Sequence, residues 1–533
     1  MTGVLGAVVG VGVLGLAGCT SPGSAARATP GPPELVAHVS DGSLRGTVSQ
    51  GVREFFGVPY AAPPVRDLRF APPRPPRPWS GVRSATAQGS ACIQFQPMGV
   101  RNDQATSEDC LYLDIYTPAA ARPGDNLPVV FWIHGGNFTE GTGVAYGGQR
   151  FTSLTNSIFV SINYRLGAYG YLALSQFGGG SGDYGLLDQI AALKWVRSNI
   201  AAFGGNAHGI TIDGQSAGSG SVCDILASPL AAGLFQRAIL ESGPCAIIAP
   251  TSLSAAQALG AEFAGAAGCG RPAALNRPGP PAAAVVACLR NAWTPNLVAA
   301  AQQDVINAPA YGTPALPLPP AQAIAAGQWN KVPVIIGTVR SEGKLFFTAQ
   351  AGLTAAQYTA AVDAQYGSNA AAVLAHYPVS SYPSPFYARA AVFTDSLFAC
   401  PSYWSASDFG SQVPAWEEEF DDPTSPTGFA SQPPGIDMSN AHAAELAYLW
   451  NFTLVERPLT PAELWLGEQM DRYWGAFART ANPDVPGQVA WPKVTAATHP
   501  VIGFHPTGNT VSTTVFPAEH QCDFWAAIEP GLT

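Results

Sequence analysis

Residues 210–222 read ITIDGQSAGSGSV. Ile-Thr-Ile-Asp has the β-branched, apolar character of a buried strand, and the Gly-rich run after it cannot continue that strand. Gly214-Gln215-Ser216-Ala217-Gly218 matches GxSxG, and a helical stretch follows. Strand, tight turn and helix around one serine form the context that a nucleophile elbow requires. Such a turn admits only small residues beside the serine, hence Gly214 and Gly218. It lifts the Ser216 hydroxyl above the sheet at a helix N-terminus, where the dipole favours negative charge. GxSxG by itself is common as a plain Gly-rich turn. The strand in front of it is what selects the nucleophile.

Working outward, apolar runs recur: VVFWI (129–133), IFVSINY (158–164), RAILES (237–242) and VPVIIG (332–337). Runs without polar alternation suit strands covered on both faces. LLDQIAALKWVRSNIAAFG (186–204) carries apolar residues at helical spacing and ends in Gly. Strand–helix alternation implies an α/β fold with a parallel sheet between helical layers. LVAHVSDGSLRGTVS reads as a hairpin around Asp41-Gly42, and 58–79 is Pro-rich and irregular. Residues 251–330 and 350–410 read as helical insertions that cap the sheet.

A serine nucleophile needs charge-stabilising donors, a base and an orienting acid. His134-Gly135-Gly136-Asn137 follows the strand VVFWI. Its glycines let backbone N–H groups approach a substrate carbonyl oxygen, together with the N–H of Ala217. In chain order the acid comes next, after a later strand. Glu342 lies five residues beyond VPVIIG. Histidines follow at 376, 442, 499, 505 and 520. Pattern favours His442, in the polar turn SNAH ahead of a helix start, and leaves the other four open.

Composition bounds the partners. Of 533 residues only 12% are charged, about half the usual quarter, and the net charge is −10. No basic run exists to meet phosphates, so nucleic acid is excluded as an expected partner. Apolar residues at 47% provide for a large core. Residues 1–18 are mostly Gly, Val, Leu and Ala, too short for the roughly 20 residues of a membrane span, and end in Leu16-Ala17-Gly18 before Cys19. This resembles a bacterial lipoprotein signal with Cys19 as the acylated N-terminus, although no Lys or Arg opens it. Residues 19–33 read as a flexible tether reaching roughly 20 Å, followed by the main domain at 34–533. The GxGxxG at 10–15 has no strand before it and no acid about 20 positions on, so it is no dinucleotide site. Nine cysteines less Cys19 leave an even number, which suits disulfides after export. There is no CxxC pair, so zinc is not expected.

Further motifs run SEDCLYLDIYTP (107–118), WIHGGNF (132–138), NYRLGAYGYLAL (163–174), GDYGLLDQIAALKWVRSNIAAFGGNAHGITIDGQSAGSGSV (182–222), GTVRSEG (337–343) and HAAELAYLW (442–450). With them the chain, from about residue 35 to 525, resembles the type-B carboxylesterase/lipase family, which includes the cholinesterases. The resemblance implies the α/β-hydrolase fold, a triad of Ser216, Glu342 and His442, and oxyanion donors at Gly136, Asn137 and Ala217 with Gly135 shaping the turn. It implies disulfides Cys92–Cys110, Cys269–Cys288 and Cys400–Cys522. Cys223–Cys245 is the remaining pair, joining the helix after the elbow to the end of the next strand. The implied activity is hydrolysis of a small-molecule ester through an acyl-enzyme, with neither cofactor nor metal. Alternatives are an acyltransferase with the same triad, or a non-catalytic binding homologue, which would typically lack a triad residue. The sequence does not select the acyl chain, the alcohol or an oligomeric state. Three departures from the family pattern are informative. Asn137 replaces the third glycine and is expected to narrow or re-polarise the acyl site. Gln215 stands where many members have Glu. The Cys92–Cys110 loop has no Trp, so the aromatic face that a choline cation needs is missing and acetylcholine is not the expected substrate.

Overall fold

The computed structural model describes residues 35–94, 105–247, 250–270, 281–301, 306, 308–428 and 432–529. The expected signal segment, Cys19, the tether and the GxGxxG at 10–15 lie outside the described residues.

The central sheet contains β1 (Thr47–Ser49), β2 (Val52–Pro59), β3 (Tyr112–Pro118), β4 (Leu127–Ile133), β5 (Ile158–Ile162), β6 (Gly205–Gln215), β7 (Arg237–Glu241), β8 (Val334–Val339), β9 (Ala415–Phe420), β10 (Val501–Phe504) and β11 (Thr510–Ser512). Their order across the sheet is β11-β10-β9-β8-β7-β6-β4-β5-β3-β2-β1. The block from β5 to β10 is parallel. The outer strands β1, β2, β3 and β11 pair antiparallel. The chain leaves β4 on one side to form β5 and returns on the other to form β6. Such a reversal opens a crevice at the strand C-termini, where ligands bind in open α/β sheets.

The apolar runs are strands for the expected reason. All seven residues of β4 are buried. Side chains alternate between faces, so Val129, Phe131 and Ile133 join one core, while Val130 and Trp132 join the other. Helix α1 (Tyr184–Asn199) packs Ile190, Leu193 and Val196 into the first core. Helix α2 (Ala217–Ala227) follows the elbow. Helix α3 (Pro461–Thr480) packs Leu466, Met470 and Trp474 into the second core. Thr460 and Glu463 form a capping box at its start, with Pro461 in the first turn.

Several elements differ from the sequence reading. The hairpin Val36–Val39/Gly42–Arg45 turns at Ser40-Asp41, one residue before Asp41-Gly42, and belongs to a small separate sheet with Val82–Ser84. The strand expected at 210–213 extends from 205 to 215. Strand β9, AWEEEF, is absent from an apolar-run reading because of its three glutamates, yet all six residues are buried. Each carboxyl is accommodated individually. Glu417 pairs with His499, and Glu419 accepts from His520 Nε2 at 2.8 Å. Glu418 packs over Gly337, and burial pushes its carboxyl well above the ordinary range. The insertions are helical as expected, including Leu253–Ala266, Pro281–Asn291, Ala355–Tyr366 and Pro385–Thr394.

Candidate active site

Ser216 sits between β6 and α2 with φ +59° and ψ −124°. A side-chain-bearing residue reaches this region only where its surroundings over-determine it. Here the Ser216 N–H donates to Glu241 O at 2.9 Å, and the Gly220 N–H donates to Ser216 O at 2.9 Å. The flanking glycines have a steric cause. A Cβ on Gly218 would lie 2.0 Å from Ile133 O, and one on Gly214 would lie 2.5 Å from Gly218 O. The elbow therefore presses directly on the end of β4, which brings the serine beside the turn His134-Gly135-Gly136-Asn137.

In that turn the Thr139 and Glu140 N–H groups both donate to Gly136 O, at 3.0 and 3.1 Å. Gly136, Asn137 and Phe138 have φ of +109°, +53° and +58°. Asn is among the residues that best tolerate this conformation, so it can stand where a glycine is usual. Consecutive amides in such a turn make a concave nest for negative charge. His134 is fully buried, and its Nδ1–H donates to Gly135 O at 2.8 Å. Burial lowers its pKa to about 4. It is a neutral strut of the turn.

Glu342 is fully buried beyond β8. Its Oε1 accepts from Thr338 Oγ1 at 2.6 Å and from the Val339 N–H at 3.0 Å. Its Oε2 accepts from His442 Nδ1. With the proton on Nδ1, the lone pair lies on Nε2. Gln215 Nε2 is 3.4 Å from that atom. The structure thus brings together all three residues that the resemblance named. It places the other histidines elsewhere. His376 stacks on Phe524, His499 pairs with Glu417, His505 Nδ1 donates to Asp421 O, and His520 lies between Asp395 and Glu419.

Sequence reasoning missed the residues that seat this pair. The Ser341 N–H donates to Asn440 O at 3.0 Å, stitching the glutamate loop to the histidine loop. Asn440 has φ +55°, accepts from the Asp422 N–H at 2.6 Å and donates to Asp421 Oδ1 at 2.6 Å. Lys344 Nζ donates to Ser439 O at 2.6 Å. An Asn two residues before the histidine was the available signal. Also missed were Asp213, Glu241 and Glu445, which with Glu418 are buried behind the site. Burial is the main cause that pushes all four carboxyls well above the ordinary carboxylate range; at Glu241, Glu418 and Glu445 neighbouring carboxyls add to it.

Ser216, His442, Gly136, Asn137 and Ala217 line one cavity of about 540 Å³. Its remaining wall is largely apolar, with Phe138, Tyr146, Leu345, Phe346 and Phe398. Phe346 and Phe398 flank the His442 ring at 5.0 and 5.3 Å between centroids. A few convergent polar groups in an apolar pocket of this size are the usual form of a small-molecule site. A second cavity of about 610 Å³, lined by His38, Arg53 and Asn199, lies toward the opposite strand ends and contains none of these groups. Among the described residues no cluster of His, Cys, Asp and Glu could hold a metal ion.

The structure pairs Cys92–Cys110, Cys223–Cys245, Cys269–Cys288 and Cys400–Cys522. Cys223–Cys245 ties α2 to the segment after β7. Part of the Cys92–Cys110 loop, residues 95–104, lies outside the described residues. Disulfides of this number suit an exported protein. No helix of the described residues is long and apolar enough to cross a membrane.

The model of the carboxylesterase family matches residues 33–525. The para-nitrobenzyl esterase of Bacillus subtilis (strain 168) is 35% identical over 477 residues, covering 85% of this chain and 91% of that protein. The human cocaine esterase is 33% identical, covering 83% of this chain and 82% of its own. Among solved structures, a PNB esterase superposes with a TM-score of 0.76 at 32% identity, over 92% of this chain and 99% of its own.

Proposed function

From the premise that this chain belongs to the carboxylesterase family, we propose that it hydrolyses carboxylic esters of small molecules through an acyl-enzyme on Ser216. One observation carries the reading: a serine held on a strained elbow shares its cavity with a Glu342-bound imidazole and with the amides of Gly136, Asn137 and Ala217.

His442 Nε2 takes the hydroxyl proton as Ser216 Oγ bonds to the ester carbon. The proton then passes to the leaving alcohol. Hydrogen bonds of this kind often tighten only when substrate is seated, and rotation about the Ser216 Cα–Cβ bond serves that end. Glu342 keeps the proton of the neutral ring on Nδ1 and stabilises the imidazolium that forms. The turn amides meet the oxyanion, an effect worth about 3 kcal/mol per donor. Water repeats the sequence on the acyl-enzyme.

A fluorophosphonate ester tests the assignment. Mass spectrometry of the digested adduct is expected to place the label on Ser216, and Ser216→Ala is expected to lose both label and p-nitrophenyl butyrate hydrolysis. A label on another residue, or undiminished turnover in the variant, refutes it. Product analysis with a competing alcohol separates hydrolysis from acyl transfer. We further propose that Cys19 is acylated after cleavage behind Gly18, which anchors the exported enzyme to a membrane through residues 19–33. Cys19→Ser is expected to release it into the medium; retention in the membrane fraction refutes the anchor.

A further inference from the structure

Phe398 reaches the pocket from an unusual piece of backbone. Helix Pro385–Thr394 passes into Asp395–Ala399, a wide turn in which the Cys400 N–H donates to Asp395 O, five residues back. Helix Cys400–Gly410 then resumes. Such π-type turns are less favourable than α-helix and recur at functional sites. One inserted residue rotates the two flanking helical segments by about 100° relative to each other. Relaxation to a plain helix would therefore swing Phe398 away from its present direction. The turn has outside support. Asp395 Oδ1 accepts from His520 Nδ1 at 2.6 Å, and Asp395 Oδ2 accepts from Tyr377 OH at 2.7 Å. Trp525 Nε1 in turn donates to Tyr377 OH at 2.6 Å.

The other nitrogen of His520 donates to Glu419 Oε1, on β9, at 2.8 Å. Two ring nitrogens can both donate to carboxylates only as an imidazolium. All three groups are about 95% buried, so the cation and its two carboxylates depend on one another. Arg340 Nη1 reaches the same Glu419 at 3.4 Å, two residues before Glu342. The pocket end of the turn is equally defined. Phe398 lies 5.3 Å from the His442 ring, 5.6 Å from Phe346 and 5.8 Å from Phe393.

We propose that His520 is a positioning residue for the substrate pocket: bridging Asp395 and Glu419, it holds the wide turn that sets Phe398 beside His442 and thereby limits the length of acyl chain accepted. This rests on the esterase reading of Ser216. His520 touches no substrate and acts 122 residues away in sequence through Asp395 and Phe398.

The experiment compares kcat/KM for p-nitrophenyl acetate, butyrate and octanoate. Phe398→Ala is expected to raise the octanoate-to-acetate ratio at least tenfold, the scale of pocket discrimination between chains of different length. His520→Gln is expected to move the ratio the same way by at least threefold. His520→Arg, which retains a cation able to bridge both carboxylates, is expected to stay within twofold of wild type. Tyr377→Phe removes one hydrogen bond to Asp395 with every charge in place, and serves if His520→Gln does not fold. Folded His520→Gln or Tyr377→Phe with the wild-type ratio, whatever its thermal stability, overturns the proposal. Absence of ester turnover in the wild type would instead remove the reading beneath it.

Discussion

Gly218→Ala isolates the contact on which the site is built. The added Cβ would stand 2.0 Å from Ile133 O and 3.0 Å from the Ile133 and His134 carbonyl carbons. Ordinary contact begins near 3.4 Å, so about 1.4 Å must open between α2 and the end of β4. Neither side yields easily. Ile133 is fully buried, hydrogen-bonded strand on both flanks, and α2 is buried along its whole length and tied to the chain beyond β7 by Cys223–Cys245. Overpacking at a buried site costs about 1–3 kcal/mol, and backbone against backbone belongs at the upper end, about 3 kcal/mol. The same opening separates the Ala217 amide from the Gly136 turn. A 1 Å misplacement of catalytic groups costs about 10²-fold in rate. Urea unfolding and p-nitrophenyl butyrate turnover measure the two effects, with Gly179→Ala as a control, since a Cβ there meets nothing within 4 Å. A Gly218→Ala enzyme as stable and active as the control would refute the claim that this approach is obligatory.

Glu342→Gln keeps the shape of the acid but loses its charge and its preference for the Nδ1–H tautomer. By analogy with serine triads, kcat is expected to fall about 10⁴-fold, and a loss below tenfold in a steady-state assay would argue against its role. Replacing Cys223 and Cys245 together by Ala opens a loop of 22 residues, expected to cost about 3 kcal/mol on the chain-entropy model; unchanged unfolding would place the stabilisation elsewhere. His520 has a folded pKa raised from 6.5 to about 10, against the opposing effect of burial, by Asp395 and Glu419. Its proton thus contributes stability that is full below pH 6.5 and is lost as pH rises through 10. Wild-type protein is expected to lose more stability than His520→Gln between pH 6.5 and 10 in urea titrations; parallel curves would contradict the assignment.

Much of the site was legible because its chemistry is local. Gly214 is required by a contact with Gly218 O inside one strand–turn–helix unit, and that unit is written in consecutive residues; Gly218 is part of the same motif, although the atom it must clear, Ile133 O, belongs to β4. The same holds for His134-Gly135-Gly136, where the turn follows directly on a fully apolar strand. Family resemblance rather than spacing singled out His442, because its partner is 100 residues away and no periodicity connects them. The glutamate strand β9 was invisible to hydropathy. Its burial depends on His499, His520 and Arg340 arriving from distant segments, and on burial raising the Glu418 carboxyl toward its neutral form.

By itself, then, the sequence determined the doubly covered strands, the elbow with its serine, the turn that faces it and the eight cysteines that follow Cys19. These follow from short-range sterics and from alternation of side chains between two buried faces. Only the tertiary structure decided that Asn440 and Lys344 seat the histidine loop, that four carboxyls are buried behind it, and that a wide turn held by His520 carries Phe398 into the pocket. Each of these depends on the desolvation of a charged or polar group by residues far away in the chain, and the free energy of that burial is defined only once the chain has folded.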